Sequence, residues 1–174
     1  MSKTEENLKA AFAGESQARN KYTYFANVAR KEGYHYIAKV FEEAANNEMR
    51  HAKDELALLA GIGDTVANLK EAIAGEHHET TGMYPTFAQE AEEEGDMEAA
   101  RLFNQIAKVE KHHELRYRKL LEMVENGTVY KREQPIRWKC SQCGYIVEGT
   151  EPPAKCPACK HPREHYEPES MAFE

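Results

Sequence analysis

The sequence has 174 residues, a length that allows one sizeable domain and a small additional one. The segment from residue 128 onward carries equal numbers of basic and acidic side chains, so the formal net charge of −7 belongs to the first 127 residues. A surface of that sign argues against nonspecific binding to nucleic acid or anionic membranes. The first ten residues lack the apolar core of a signal peptide, and no apolar run approaches the roughly 20 residues of a membrane span. We therefore expect a cytoplasmic protein.

Residues 1–127 have the pattern of four long helices separated by short breaks that contain glycine. Side chains suited to cap the helix N-termini are Ser2 with Glu5, Asp64 or Thr65, and Asp96. Glycines stand where a helix C-terminus is expected at Gly33, Gly61, Gly95 and Gly127. The pattern predicts an all-α four-helix bundle in this part of the chain.

Acidic side chains interrupt the apolar faces of these helices. Glu15 lies in the apolar stripe of the first helix, and the motifs EMRH at 48–51 and EKHH at 110–113 lie in those of the second and fourth. Residues three apart on a helix are only about 60° apart around the axis, so each Glu-x-x-His motif directs a carboxylate and an imidazole the same way. Several buried carboxylates at one level repel each other unless a cation neutralises them. Two such motifs and one Glu from each of two other helices are the set with which a four-helix bundle holds two metal ions.

The first two helices are repeated by the last two. FANVARKEG at 25–33 matches FAQEAEEEG at 87–95 at an offset of 62, which also relates the two Glu-x-x-His motifs. Upstream the offset is 61, because AGE at 13–15 matches AGE at 74–76. The second copy therefore has one extra residue between Glu76 and Tyr84. An insertion of one residue inside a helix predicts a π-bulge, a feature that is frequent at functional sites.

The repeat gives a defined set of candidate metal ligands: Glu15, Glu48, His51, Glu76, Glu110 and His113, with Glu79 as an additional candidate. Glu79 has no acidic counterpart in the first copy, so one metal ion has a choice of ligand that the other lacks. Carboxylate-rich ligation with few imidazoles favours iron or manganese over zinc. Tyr22 and Tyr84 follow a candidate ligand by about two turns, so their hydroxyls either bond to ligand carboxylates or belong to the core.

The sequence gives less reason to expect that the other histidines are metal ligands. His77 and His78 adjoin Glu76, but the helix face that holds Glu76 and Glu79 excludes at least one of them, which favours supporting or surface roles. His112 points away from His113, because consecutive helix residues are about 100° apart. Surface positions are expected for His35, His161 and His165.

All four cysteines lie in the last quarter of the chain, as CSQC at 140–143 and CPAC at 156–159. In a reducing compartment, this pattern indicates metal ligands or redox thiols, and a site of four thiolates holds either zinc or a single iron. A module of about 36 residues is too small to fold on apolar burial alone, so the metal must stabilise it. The aromatic residues available to cover the thiolates are Trp138, Tyr145 and Tyr166. We place the domain boundary in the Pro135-containing connector and predict domains at 1–134 and 135–174.

The motifs AGESQARNKY at 13–22, EMRH, AGEHHE at 74–79, MYP at 83–85, EKHH, and CSQCGY with CPAC resemble the rubrerythrin family over essentially the whole chain. The resemblance implies a ferritin-like bundle with a non-haem di-iron site and a C-terminal rubredoxin-like domain with one iron. The implied di-iron ligands are Glu15, Glu48, His51, Glu76, Glu79, Glu110 and His113, and the implied thiolate ligands are Cys140, Cys143, Cys156 and Cys159. It further implies that one iron exchanges a carboxylate for a histidine during the redox cycle, with Glu79 and His51 as the two alternatives. These two residues, with Tyr22 and Tyr84, are the predicted catalytic residues.

The same resemblance implies an activity and partners. The implied reaction is reduction of hydrogen peroxide to water, as protection against oxidative stress. The electrons would come from NAD(P)H through a separate reductase or a rubredoxin, and the protein would be a homodimer. One position departs from the pattern, because Lys160 stands where free rubredoxins have a glycine after the fourth cysteine. Lysine at a position suited to a left-handed backbone predicts strain in that turn.

Three other functions are compatible with parts of the sequence. A ferritin-like ferroxidase or iron store shares the carboxylate-rich helices, but it takes electrons from its own iron substrate and has no need of an attached one-electron carrier. A non-catalytic module with structural zinc is compatible with the four cysteines. An oxygen-activating hydroxylase is disfavoured, because nothing in the sequence marks a pocket for an organic substrate.

Overall fold

The computed structural model describes residues 2–170, in which a long helical region precedes a small sheet. The chain forms two compact units, Met1–Gly63 and Asp64–Glu174. No helix within residues 2–170 combines the length and the apolar character needed to cross a membrane. The predicted domain boundary at residues 134 and 135 stays a prediction.

The first unit is a hairpin of two helices, α1 (Lys3–Lys31) and α2 (His35–Leu58). The Ser2 hydroxyl caps α1 by accepting a hydrogen bond from the Glu5 backbone N–H at 3.2 Å, as the sequence predicts. Gly33 makes the turn with a left-handed φ of 86°. The buried residues where the helices pack are mostly alanines, which permit a close approach of the two backbones: Ala26, Ala29 and Ala38, with Phe41 against them.

The end of α2 differs from the prediction in one detail. Ala60, not Gly61, adopts the left-handed conformation, with φ of 55°. The Ala60 N–H donates a hydrogen bond to the Ala57 carbonyl, and the Gly61 N–H donates one to the Leu56 carbonyl. This pair of hydrogen bonds is the Schellman pattern of a helix C-terminus. A Cβ at Gly61 would lie 2.4 Å from Leu56 Cδ1, so a larger residue there would require the Leu56 side chain to move.

The second unit begins with α3 (Thr65–His78), a π-helical segment (Glu79–Met83) and α4 (Tyr84–Glu94), which follow one another without a break. The π-helical segment lies between Glu76 and Tyr84, where the offset of the repeat changes from 61 to 62. The predicted π-bulge is therefore confirmed. A π turn takes up the extra residue, and it places Glu79 at its first position.

The last helix, α5 (Met97–Glu125), runs without interruption through both residues of the second Glu-x-x-His motif. The predicted N-caps of α3 and α5 are confirmed. Asp64 Oδ1 accepts from the Ala67 N–H at 2.8 Å, and Asp96 Oδ1 accepts from the Ala99 N–H at 3.0 Å. Gly95, which ends α4, has the left-handed φ of 81° that a helix C-terminal glycine allows.

The C-terminal region holds a three-stranded antiparallel sheet of β1 (Ile136–Cys140), β2 (Ile146–Gly149) and β3 (Tyr166–Pro168), in the order β2-β1-β3. Its core contains two of the aromatic residues predicted to cover the thiolates, Trp138 and Tyr166, which pack with Cys140 and Cys156. Tyr145 is exposed and lies outside this core. Trp138 is fully buried, and its Nε1 donates a hydrogen bond to the Gly149 carbonyl at 2.9 Å.

Candidate metal centres

The first unit brings three of the predicted ligands together. Glu15 on α1 and Glu48 and His51 on α2 each offer a ligand atom, and these atoms all lie within 4.8 Å of one another. His51 Nδ1 is 2.9 Å from Glu48 Oε2 and 3.6 Å from Glu15 Oε1. The two carboxylates and the Nδ1 edge of the imidazole therefore converge on one point, as metal ligands do.

The second unit repeats this arrangement. Glu76 on α3 and Glu110 and His113 on α5 form a group of the same size. His113 Nδ1 is 2.7 Å from Glu110 Oε2 and 3.7 Å from Glu76 Oε2, close to the distances in the first group. The sequence repeat therefore corresponds to a repeat of side-chain geometry, with one Glu-Glu-His group in each unit.

The charges of both groups suit a multivalent cation. Hydrogen bonding to Glu48, burial and the Glu48 charge raise the pKa of Glu15, and burial, hydrogen bonding to Glu110 and its charge raise the pKa of Glu76. A raised pKa means that these crowded carboxylates bind a proton more readily than isolated ones do when no cation neutralises them. A bound cation removes the repulsion between them. Oxygen and imidazole donors without thiolates suit iron or manganese.

Glu79 and Tyr84 lie near the second group, and Tyr22 is the counterpart of Tyr84 in the first unit. Glu79 is not one of the three clustered ligands of the second unit, but its charge contributes to the raised pKa values of Glu76 and Tyr84. Burial is the larger cause of the raised pKa of Tyr84, which keeps its hydroxyl protonated at neutral pH. The two tyrosines occupy matching aromatic clusters in the two units: Tyr22 with Phe25 and Phe41, and Tyr84 with Phe87 and Phe103.

The four cysteines meet in the C-terminal region. Cys140 Sγ lies 3.7 Å from Cys159 Sγ, and Cys143 Sγ lies 3.7 Å from Cys156 Sγ. A tetrahedral site with metal–sulfur bonds of about 2.3 Å has sulfur–sulfur edges of about 3.8 Å. The thiols therefore already stand at the spacing of a four-thiolate metal site. Burial raises the pKa of the Cys156 thiol, but hydrogen bonds, of which the one from the Cys159 backbone N–H has the largest effect, outweigh it and lower that pKa to about 6.

The residue that follows each pair of cysteines has a left-handed backbone conformation. Gly144 has φ of 75° and Lys160 has φ of 64°, and their N–H groups bond to the Cys140 and Cys156 carbonyls at 2.8 and 3.0 Å. The expected strained position of Lys160 is thus present. His161, expected at the surface, is exposed, but its Nδ1 lies 3.3 Å from Cys159 Sγ.

We expect Lys160→Gly to stabilise the four-cysteine module by about 0.5 kcal/mol, because relief of the left-handed strain exceeds the added freedom of the unfolded chain. The matched control is Lys155→Gly, an exposed position without a left-handed φ, where glycine should destabilise by about 0.5–1 kcal/mol. Denaturant titration followed by the thiolate-to-metal absorption gives both values. Equal losses in the two variants would contradict the strain at Lys160.

One cluster near the second group was not predicted. Glu114 on α5 is 1% exposed, and its carboxylate accepts hydrogen bonds from Arg118, while Lys111 and His77 lie within 3.2 Å. The Arg118 hydrogen bonds outweigh burial and lower the pKa of Glu114 to about 2. A sequence signal existed, because Lys111, Glu114 and Arg118 have the three- and four-residue spacings of helix ion pairs. That spacing is common on exposed helix faces, and it does not predict burial.

The comparisons with known proteins agree with both kinds of centre. The rubrerythrin family model matches residues 6–121, and the model of the rubrerythrin rubredoxin-like domain matches residues 138–167. Rubrerythrin of Porphyromonas gingivalis is 51% identical over 96% of this chain and 90% of its own length. Rubrerythrin of Nitratidesulfovibrio vulgaris is 47% identical over 95% of this chain and 94% of its own length. Among solved structures, partially reduced nigerythrin is 35% identical over 97% of this chain and 87% of its own length, with a TM-score of 0.38.

The family assignment depends on the sequence matches, which cover nearly the whole chain at about half identity. They confirm the predicted fold class, ferritin-like helices followed by a small rubredoxin-like domain, and the predicted cofactors, a di-iron carboxylate site and an iron on four cysteines. This chain belongs to the rubrerythrin family, and it is a di-iron oxidoreductase with a rubredoxin-like domain that acts in oxidative stress.

Proposed function

We propose that this protein reduces hydrogen peroxide to water, taking two electrons and two protons for each peroxide molecule. The electrons come from NAD(P)H through a separate reductase or a rubredoxin, and they enter through the iron on the four cysteines. The observation that carries the proposal is the presence of two Glu-Glu-His groups and a four-thiolate site in one chain. A ferroxidase receives electrons from its own iron substrate, so an attached one-electron centre favours an enzyme that must be reduced from outside.

We further propose which residues hold the metals. Each carboxylate–imidazole group supplies three donors, from Glu15, Glu48 and His51 in the first unit and from Glu76, Glu110 and His113 in the second. Glu79 is the alternative ligand, and the four thiolates are those of Cys140, Cys143, Cys156 and Cys159. When bound, the two irons supply the electrons that break the O–O bond.

The side chains around the groups control the protons. Without a bound metal ion the pKa of Glu76 is raised, so its carboxylate would accept a proton readily whenever it does not serve as a ligand. The Tyr84 hydroxyl keeps its own proton and is close enough to feel the charges of Glu79 and Glu110. It is therefore suited to donate a hydrogen bond to a carboxylate, and Tyr22 is proposed to act in the same way in the first unit.

The proposal predicts that Glu79→Ala retains both irons but turns over about 10-fold or more slowly, because an alternative ligand is needed during the redox cycle and not for binding. Iron content and peroxide turnover are measured on the same preparation. The matched control is Glu71→Ala, which removes an exposed carboxylate from α3. Loss of iron from Glu79→Ala would show that Glu79 is an obligatory ligand.

The activity is tested by anaerobic peroxide consumption with NADH, a reductase and a rubredoxin as the electron source. We expect one NADH oxidised for each peroxide removed, and no such consumption with Cys143→Ser, which lacks one thiolate. Peroxide removal without matching NADH oxidation would contradict the proposed route. Uptake and oxidation of many ferrous ions per chain, without peroxide turnover, would support the ferroxidase instead.

Two further statements belong to the proposal. We place the protein in the cytoplasm, since four cysteines that serve as metal ligands need a compartment that keeps thiols reduced. We also propose that it works as a homodimer, the assembly that the family resemblance implies.

A further inference from the structure

The most buried charged side chain among residues 2–170 belongs to an ion cluster that the proposed reaction does not use. Glu114 is 1% exposed, and three basic side chains surround its carboxylate. Arg118 donates to Oε1 through Nε at 2.9 Å and Nη2 at 2.6 Å, and Lys111 Nζ lies 3.2 Å from Oε2. His77 Nδ1, which comes from α3, lies 3.1 Å from Oε1. The cluster therefore joins α3 to α5 through a buried carboxylate.

The cluster is adjacent in sequence to every ligand of the second group. His77 follows Glu76, Lys111 follows Glu110, and Glu114 follows His113. Consecutive helix residues are 1.5 Å apart along the axis and about 100° apart around it. The cluster thus lies on the flank of the same two helices, at the same level as the group of Glu76, Glu110 and His113.

A contact at that place controls the geometry of the group. A side-chain tip lies about 6 Å from the helix axis, so a 20° rotation of α3 would move the Glu76 carboxylate by about 2 Å. Metal ligands must be held to within about 0.5 Å. Arg118 and Lys111, which lie on α5 itself, fix the Glu114 carboxylate, and His77 of α3 meets it at 3.1 Å. A rotation of α3 would break the His77 contact to a carboxylate that water does not reach, so the cluster resists such a rotation.

Within residues 2–63, the first unit has no such cluster. The positions that correspond to His77, Lys111, Glu114 and Arg118 are Ser16, Met49, Ala52 and Leu56. The position of Ala52 is buried, like that of Glu114, but none of the four side chains carries a charge at neutral pH. The two Glu-Glu-His groups are therefore alike in their ligands and different in what supports them.

We propose that Glu114 is a positioning residue: Arg118 and Lys111 hold its carboxylate in place on α5, and its contact with His77 holds α3 against α5 and preforms the second group. The metal ion held by Glu76, Glu110 and His113 then binds more tightly than the metal ion held by the first group. This inference rests on the proposed function, because it takes these three residues as ligands.

Glu114→Gln tests the inference, since it keeps the shape of the side chain and removes its charge. Metal-free full-length protein is titrated anaerobically with Co²⁺, and the absorption of thiolate-bound cobalt separates the four-cysteine site from the helical sites. We expect two helical binding steps in the unchanged protein. Glu114→Gln should weaken the tighter step by about 10–100-fold and leave the weaker step and the thiolate site within about twofold.

The matched control is Glu122→Gln, which removes the exposed ion pair between Glu122 and Lys119 on the same helix, 3.0 Å long. It should leave both steps unchanged. Thermal unfolding of the metal-free variants is measured in parallel. A lower melting temperature of Glu114→Gln with both binding steps unchanged would assign Glu114 to stability alone and overturn the inference, as would a single unresolved helical step in the unchanged protein.

A second variant guards against misfolding of the first. The combination His77→Ser, Lys111→Met, Glu114→Ala and Arg118→Leu installs the side chains that the first unit already accommodates. We expect the affinity of its tighter Co²⁺-binding step to fall until it is similar to that of the weaker step. If the two Co²⁺-binding steps of this variant differ in affinity as much as they do in the unchanged protein, the inference is overturned.

Glu110→Gln separates this inference from the proposed function. If it weakens the tighter step while Glu114→Gln has no effect, the ligand assignment stands and the positioning role is wrong. If Glu110→Gln weakens neither step, the ligand assignment itself fails, and the inference fails with it.

Discussion

Replacement of Glu110 by glutamine is expected to weaken metal binding by the second group by more than about 100-fold and to abolish peroxide reduction. Loss of a residue that merely supports a ligand costs about 10–100-fold in affinity, and loss of a ligand charge costs more. Glu110 Oε2 is 2.7 Å from His113 Nδ1, and hydrogen bonding to Glu110 contributes to the raised pKa of Glu76. The variant therefore loses the central carboxylate of its group.

The metal-free form of Glu110→Gln should behave in the opposite way. The charges of Glu76 and Glu110 repel each other when no cation is present, so removal of one should leave the melting temperature of metal-free protein unchanged or higher. Metal content, peroxide turnover and thermal unfolding are compared with the exposed control Glu122→Gln. A lower melting temperature without metal, with normal metal content, would mean that Glu110 is a structural residue.

Replacement of Cys156 by serine is expected to remove the iron of the C-terminal module and to stop turnover with NADH. Cys156 is fully buried and packs with Trp138, Cys140 and Tyr166, so the small core of the module includes the ligand itself. A module of this size depends on its metal for folding. The visible absorption of thiolate-bound iron should vanish, and the circular dichroism of the helices should remain.

The same variant separates electron delivery from peroxide reduction. Cys156→Ser reduced chemically beforehand should still reduce about one peroxide per di-iron site, and then stop. The control is Ser141→Ala in the first cysteine loop, which removes one exposed hydrogen bond to the His165 carbonyl and should leave turnover near normal. Sustained NADH-dependent turnover by Cys156→Ser would contradict the role of the four-cysteine iron as the entry point.

The parts of the fold that depend on local chemistry were predictable from the sequence. The π-helical segment follows from arithmetic, because the two copies differ by one residue between a matching Glu and a matching Tyr. The N-caps at Ser2, Asp64 and Asp96 follow from side chains that can accept a backbone hydrogen bond. The helix period predicts that the Glu and the His of each Glu-x-x-His motif point the same way. The sequence repeat predicts the third ligand of each group, Glu15 in the first and Glu76 in the second.

Other features depend on packing, which the sequence does not display. The left-handed residue at the end of α2 is Ala60 and not Gly61, and a Cβ at Gly61 would crowd the Leu56 side chain. Glu114 has the spacing of an exposed ion pair and is buried, since Arg118 and His77 converge on it from two helices. The extra residue and Glu79 already indicate that the two copies of the repeat differ. The Glu114 cluster, which only the three-dimensional structure reveals, is a further difference between them.

Stopped-flow oxidation of the fully reduced protein tests the central claim most directly. The di-iron and four-cysteine centres are followed at their own absorption bands after mixing with hydrogen peroxide or, separately, with oxygen. We predict that peroxide oxidises the protein much faster than oxygen does, and that the four-cysteine iron is oxidised after the di-iron site. Equal rates with oxygen and peroxide would contradict the peroxidase assignment and indicate an oxidase or a ferroxidase.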